Sequence, residues 1–134
     1  MKLTELKAHF QRYSERDEDA NVNYPDAGGV NRVMREYKTP VDTLDEAHGI
    51  MFLCPVCFAK NGGSVGTHSV DVTFSGRGVP DNLGSHGTND LPTRWDVSGT
   101  GLADLVCTPS IQLLGGCNWH GFIGSSGVPP GEAA

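Results

Sequence analysis

Two ligand pairs at metal-knuckle spacing, Cys54-Pro55-Val56-Cys57 and Cys117-Asn118-Trp119-His120, lie about sixty residues apart in this chain and constrain its fold more than any other feature. Two residues between ligands allow one turn to present both side chains to a single tetrahedral ion, and a second such turn completes a Cys3His shell. Zinc is therefore the expected cofactor, with Cys54, Cys57, Cys117 and His120 as its ligands. Either pair alone would be read as buried thiols or a satisfied histidine, and it is their coincidence that favours metal. A structural site is saturated by protein donors, whereas a catalytic zinc keeps one position open, so four donors point to a structural role.

At 134 residues the chain is long enough for one core. Only 37% of it is hydrophobic, and 18 glycines and eight prolines imply a loop-rich fold that gains from a metal staple. A net charge of −6 disfavours nucleic acid as a partner, because binding a phosphate backbone relies on Lys and Arg. A protein partner is expected instead. The start, Met1-Lys2-Leu3-Thr4-Glu5-Leu6-Lys7, is charged and amphipathic rather than an apolar leader. The longest nearly apolar stretch, 50–59, is about half the length that spans a bilayer, so no membrane span is expected and the location is taken as cytoplasmic. In a reducing compartment the cysteines are better read as thiolate ligands or buried thiols than as disulfides.

Leu3, Leu6, Phe10 and Tyr13 recur at helical spacing, which predicts a helix over 2–16 with this face packed inward. A second helix is predicted after Asp26, with Val30, Val33, Met34 and Tyr37 on one stripe and Pro40 as its stop. Beyond residue 40 the pattern turns to strands. Ile50 to Leu53 reads as a short buried strand, Val70, Val72 and Phe74 alternate with polar residues, and Trp95 and Val97 flank Asp96 in the same way. Ser75 to Asp90 is rich in Gly, Ser, Asn and Asp and is expected to be a mobile excursion or binding loop, with a tolerated insertion as the simpler explanation. The expected fold class is α+β: N-terminal helices packed on a small, zinc-ribbon-like β module. The expected divisions are a helical segment at 1–40, a β-rich zinc-binding module at 41–125 and a flexible tail at 126–134.

Leu53-Cys54-Pro55-Val56-Cys57, Trp95, Cys107-Thr108-Pro109-Ser110-Ile111 and Cys117-Asn118-Trp119-His120-Gly121-Phe122-Ile123, taken as an ordered set, resemble an uncharacterised zinc-binding family of bacteria and phages. Some of its members carry an ammonia monooxygenase label, and some lie beside bacterial ubiquitin-like conjugation genes. The resemblance covers about residues 42–125. It departs from the family pattern at Val56 and Phe58, and at Gly121, which separates His120 from the aromatic Phe122. What it implies is a phage accessory or host-interaction protein acting in the host cytoplasm.

Other candidates read more simply as structure. Cys107 has no partner at metal spacing and is expected to be a small buried thiol. Ser110 lacks the Gly-x-Ser-x-Gly elbow of a nucleophile. His9, His48, His68 and His86 are expected to be solvated, with His68 as the reserve metal ligand because it opens the strand after the first knuckle. The zinc deaminase pattern fails, since Glu46-Ala47-His48 runs in reverse order and Leu53 precedes Cys54. The expected function is thus a noncatalytic, zinc-stabilised protein-interaction module. The alternatives are a zinc hydrolase acting on protein conjugates, with Asp71 or Asp96 as base, and a minor virion or assembly component. Homo-oligomerisation through the N-terminal helix would suit the binding and assembly readings.

Overall fold

The structure, a computed structural model, describes residues 1–19 and 32–134, without the side chains of 17–19 and 32–34. Strands β1 (His9–Asp19), β2 (Arg32–Val41), β3 (Gly49–Leu53) and β4 (Ser69–Thr73) form an antiparallel sheet in the order β2-β1-β3-β4. Strands β5 (Asp96–Ser98), β6 (Val106–Gln112) and β7 (His120–Ile123) form a second antiparallel sheet in that order. Among the described residues the α-helix is one short element, α1 (Pro55–Asn61), with short 3-10 turns at Thr88–Asp90 and Leu102–Asp104. No helix among the described residues is long and apolar enough to cross a membrane.

This architecture overturns the expected α+β arrangement of N-terminal helices on a β module. Leu3, Leu6, Phe10 and Tyr13 are all buried, as the spacing requires, but a turn and a strand bury them instead of a helix. The Leu6 amide does reach back to the Lys2 carbonyl, a single helix-like turn, and Lys7 then adopts a φ of 57°, which a continuing helix cannot accommodate. From His9 onward the chain pairs on one side with β2 and on the other with β3, and these ladders outweigh a weak helical propensity. Of the second predicted helix, Asp26 and Val30 lie outside the described residues, while Tyr37 and Pro40 stand in β2.

The core lies between the sheets. Ile50, Phe52 and Cys54 point inward along β3 and its continuation, and Val70, Val72 and Phe74 do so along β4, following the period of two expected for a half-buried strand. Leu3, Leu6 and Phe10 belong to the same hydrophobic cluster as Cys107, Trp119 and Ile123, so residues 1–40 and 41–125 share one core. The last residues are tied in as well. Phe122 and Ala134 exchange backbone hydrogen bonds of 2.9 and 3.1 Å, and the Ala133 amide donates to the Met1 carbonyl at 2.8 Å.

The stretch expected to be a mobile excursion packs across the first sheet. The guanidinium of Arg94 donates to the carbonyls of Pro80, Leu83, Ser85 and Thr93, at 2.8–3.0 Å, and pulls the loop into a closed shape. Ser85 caps a polar cluster on the outer face of the sheet: its amide donates to Thr73 Oγ1 at 2.8 Å, and its hydroxyl to the Asp71 carbonyl at 2.9 Å. Thr73 in turn donates to the Tyr13 hydroxyl, and buried Gln11 donates to both Tyr13 and Asp71. Burial pushes the Tyr13 phenol up from its ordinary pKa. Among the described residues no buried side-chain polar atom lacks a partner, which is how this face tolerates its polarity.

Candidate metal centre

β3 runs directly into the first knuckle. Cys54 stands just before α1 with extended backbone angles, Pro55 occupies the first turn, and the Phe58 amide closes on the Cys54 carbonyl at 2.8 Å. Proline suits this position because its missing N–H would have no intrahelical acceptor. The turn brings Cys57 back beside Cys54, and Gly62, at φ 69°, ends the helix.

β3 and β4 pair antiparallel with Leu53 opposite Ser69, and the Cys54 amide extends that ladder by donating to the His68 carbonyl at 3.0 Å. Strand register therefore sets His68 beside Cys54. The His68 ring has Nδ1 3.3 Å from the Ser69 carbonyl and turns Nε2 toward the cysteines.

The second knuckle is the loop between β6 and β7. The Leu113 amide donates to the Trp119 carbonyl at 2.8 Å, the Asn118 amide to the Gly115 carbonyl at 3.2 Å, and Asn118 Oδ1 accepts from the Gly115 amide. Buried Trp119 anchors the loop by an edge-to-face contact on Phe52, with centroids 5.9 Å apart. Cys117 is held over the first knuckle, its Sγ 3.6 Å from Cys54 Sγ and 3.2 Å from His68 Nε2.

The donor atoms of Cys54, Cys57, His68 and Cys117 all lie within 4.8 Å of one another. A tetrahedral zinc with bonds of about 2.3 Å to sulfur and about 2.0 Å to nitrogen sets its sulfurs about 3.8 Å apart and sulfur to nitrogen about 3.5 Å. The two measured separations fit those edges, and the donor chemistry fits a soft, borderline metal. Cys54 is buried, Cys57 half-buried, and His68 and Cys117 exposed, so the centre sits at the surface with one side sealed. The hydrogen bond from His68 brings the Cys117 thiol down to about 7, while desolvation and the neighbouring sulfurs push Cys57 up to about 11. The Cys57 and Cys117 thiols thus shift in opposite directions, and a bound cation would favour the charged form of both.

The structure thus brings together three of the four residues that spacing selects and exchanges the histidine. His120 opens β7 opposite Gln112, and strand alternation decides its direction: Trp119 and Gly121 point inward, so His120 and Phe122 point outward. Its Nε2 meets Ser110 Oγ at 2.9 Å, and its ring stacks on Phe122. The signal for His68 was its place at the head of the alternating Val70, Val72, Phe74 strand, one step beyond the ladder that ends at Leu53.

The remaining candidates fall elsewhere. Cys107 is buried on β6, and desolvation pushes its thiol up to about 12. Ser110 and His120 form an exposed pair, and among the described residues no carboxylate bonds the His120 ring to orient it as a base. Asp71 is engaged by Gln11 and Lys38, and Asp96 by the Ser75 hydroxyl, so both carboxylates have other partners. His48 accepts the Tyr13 amide through Nδ1, and His86 donates to the Asp81 carbonyl. Comparison of the chain with protein-family models, curated proteins and solved structures gives no match.

Proposed function

We propose that this chain holds one structural zinc ion through Cys54, Cys57, His68 and Cys117 and acts as a noncatalytic protein-interaction module. The observation that carries the reading is the convergence of four donor atoms within 4.8 Å from three separate stretches of chain. When bound, the ion supplies a cross-link that joins the end of β3, the head of β4 and the β6–β7 loop. The protein's own part is to aim the donors: strand register places His68, the first turn of α1 places Cys57, and Trp119 on Phe52 holds the loop that carries Cys117.

A noncatalytic role follows from the donor set, because four protein ligands fill a tetrahedral shell and leave no position for water. The interaction half of the reading is supported by the surface beside the centre. Pro55, Val56, Ala59 and Trp119 line an open, largely apolar groove with Met1 and the last two alanines, and Val56 is 51% exposed there. A phage accessory or host-interaction role is the biological setting that the family resemblance suggests for such a module.

Metal analysis tests the first half: purified, tag-free protein should carry one zinc per chain, and its absence would sink the proposal. For the second half, Val56→Asp should leave zinc content and melting temperature unchanged while abolishing capture of a partner that the wild-type chain retains. Equal capture would remove this surface from the interface.

A further inference from the structure

We infer that Cys54 and Cys117 are a built-in disulfide pair, a covalent staple that replaces the metal when a peroxide oxidises the centre. The starting state rests on the zinc reading above, whereas the placement of the two sulfurs does not. Their Sγ atoms are 3.6 Å apart across 63 positions of sequence, in contact but well beyond the bonded length of about 2.05 Å.

The two residues differ in access and in freedom. Cys117 is exposed, and Cys54 is completely buried, so a dissolved oxidant meets Cys117. Cys54 is pinned by its backbone bonds to His68 and Phe58, and Cys57 is held within α1. Cys117 instead follows Gly115 and Gly116, both at positive φ, in a loop whose backbone has no Cβ at those positions to resist rotation. The exposed partner, on the glycine-containing loop, therefore closes on the buried one. Cys107 takes no part, since it is buried on β6 and stands outside the cluster.

The chemistry runs in two balanced steps. The Cys117 thiolate attacks hydrogen peroxide, forming a sulfenic acid and releasing hydroxide, so sulfur is oxidised and one peroxide oxygen is reduced. The Cys54 sulfur, a thiolate in the zinc-loaded starting state, then attacks the sulfenic sulfur, the S–S bond forms, the S–O bond breaks, and that oxygen leaves as hydroxide. Two of the four metal donors are consumed, and Cys57 with His68 alone cannot retain the ion. The same junction stays closed, because the new bond links the end of β3 to the loop entering β7, as the metal did.

The test treats the zinc-loaded chain with one equivalent of hydrogen peroxide, follows zinc release with a chromogenic chelator, and maps the cross-link by tandem mass spectrometry after alkylation. The expected result is a Cys54–Cys117 linkage, an alkylated Cys57, one zinc released per chain, and a melting temperature above that of the reduced, metal-stripped protein. Cys57→Ser should form the same linkage. A Cys54–Cys57 bond, which loop closure favours in an unfolded chain, would overturn the inference. So would over-oxidised Cys117 without a cross-link. If the purified chain carries no zinc, the metal reading fails, and the same mapping on that protein still decides the disulfide.

Discussion

His68 Nε2 lies 3.2 Å from Cys117 Sγ, although the two residues are 49 positions apart, while His120, three residues beyond Cys117, turns its ring to Ser110. Sequence proximity and ligand geometry are therefore separated at this centre. His68→Ala should lower zinc affinity at least tenfold, in line with losing a direct ligand, whereas His120→Ala should leave it unchanged. Competition titration against a zinc-binding dye measures both, and the opposite ranking would return the fourth position to His120.

Cys117→Ser should release zinc and lower the melting temperature to that of the metal-stripped wild type. Removing one ligand opens the shell, and the ion's binding free energy is part of the folding free energy. Elemental analysis with a thermal scan reads both effects, and a variant that still held one zinc would exclude Cys117 as a ligand.

Arg94→Ala should loosen the loop over the first sheet. The guanidinium satisfies four carbonyls, and hydrogen bonds to a charged group contribute about 1.5–3 kcal/mol each, so a net loss of about 2 kcal/mol is expected after water replaces the partners. Urea unfolding gives the magnitude, and faster amide exchange at Ser85 gives the location.

Deleting residues 76–87 should destabilise the fold severely, contrary to the expectation for a tolerated insertion. The deletion removes buried Leu83 and the Ser85 groups that satisfy Thr73. Gly84→Ala is the milder probe. Gly84 sits at φ 78°, and an added Cβ would stand 2.5 Å from Thr73 Oγ1, so a cost of about 2 kcal/mol or more is expected. Chemical denaturation of the two variants would show whether the loop is a packed part of the fold.

Alkaline stability should carry the signature of Cys107. Burial holds its folded-state pKa near 12, raised from 9.0, so the thiol's contribution is fully present below about 9 and is lost as pH rises toward 12. Over that window the slope is about 1.4 kcal/mol per pH unit for one proton. In zinc-loaded protein, Cys107→Ala should flatten the slope while lowering stability at neutral pH through the cavity it leaves. Unfolding free energies at pH 8 and pH 10 supply the comparison.

Much of the burial was written in the residues themselves. Leu3, Leu6, Phe10 and Tyr13, and likewise Val70, Val72 and Phe74, are inside because water expels apolar surface whatever the backbone does. The three cysteines were legible for a similar reason: thiols at knuckle spacing have few other uses in such a chain. What the spacing of Leu3 to Tyr13 could not convey was the element, since a turn followed by a strand buries the same four side chains as a helix. Pairing with β2 and β3 made that choice, through hydrogen bonds to partners far along the chain.

The histidine that joins the three cysteines was decided in the same way. His120 had the local spacing, but the alternation of β7 turned it outward, and the β3–β4 register carried His68 to the cysteines. The loop 75–90 had the composition of a mobile segment, yet Arg94 and Thr73, outside or across from it, hold it down. Local sequence fixed which side chains avoid water and which sulfurs suit a metal. Tertiary structure fixed which groups meet, because ladders and buried hydrogen bonds join residues whose partners no short window of sequence contains.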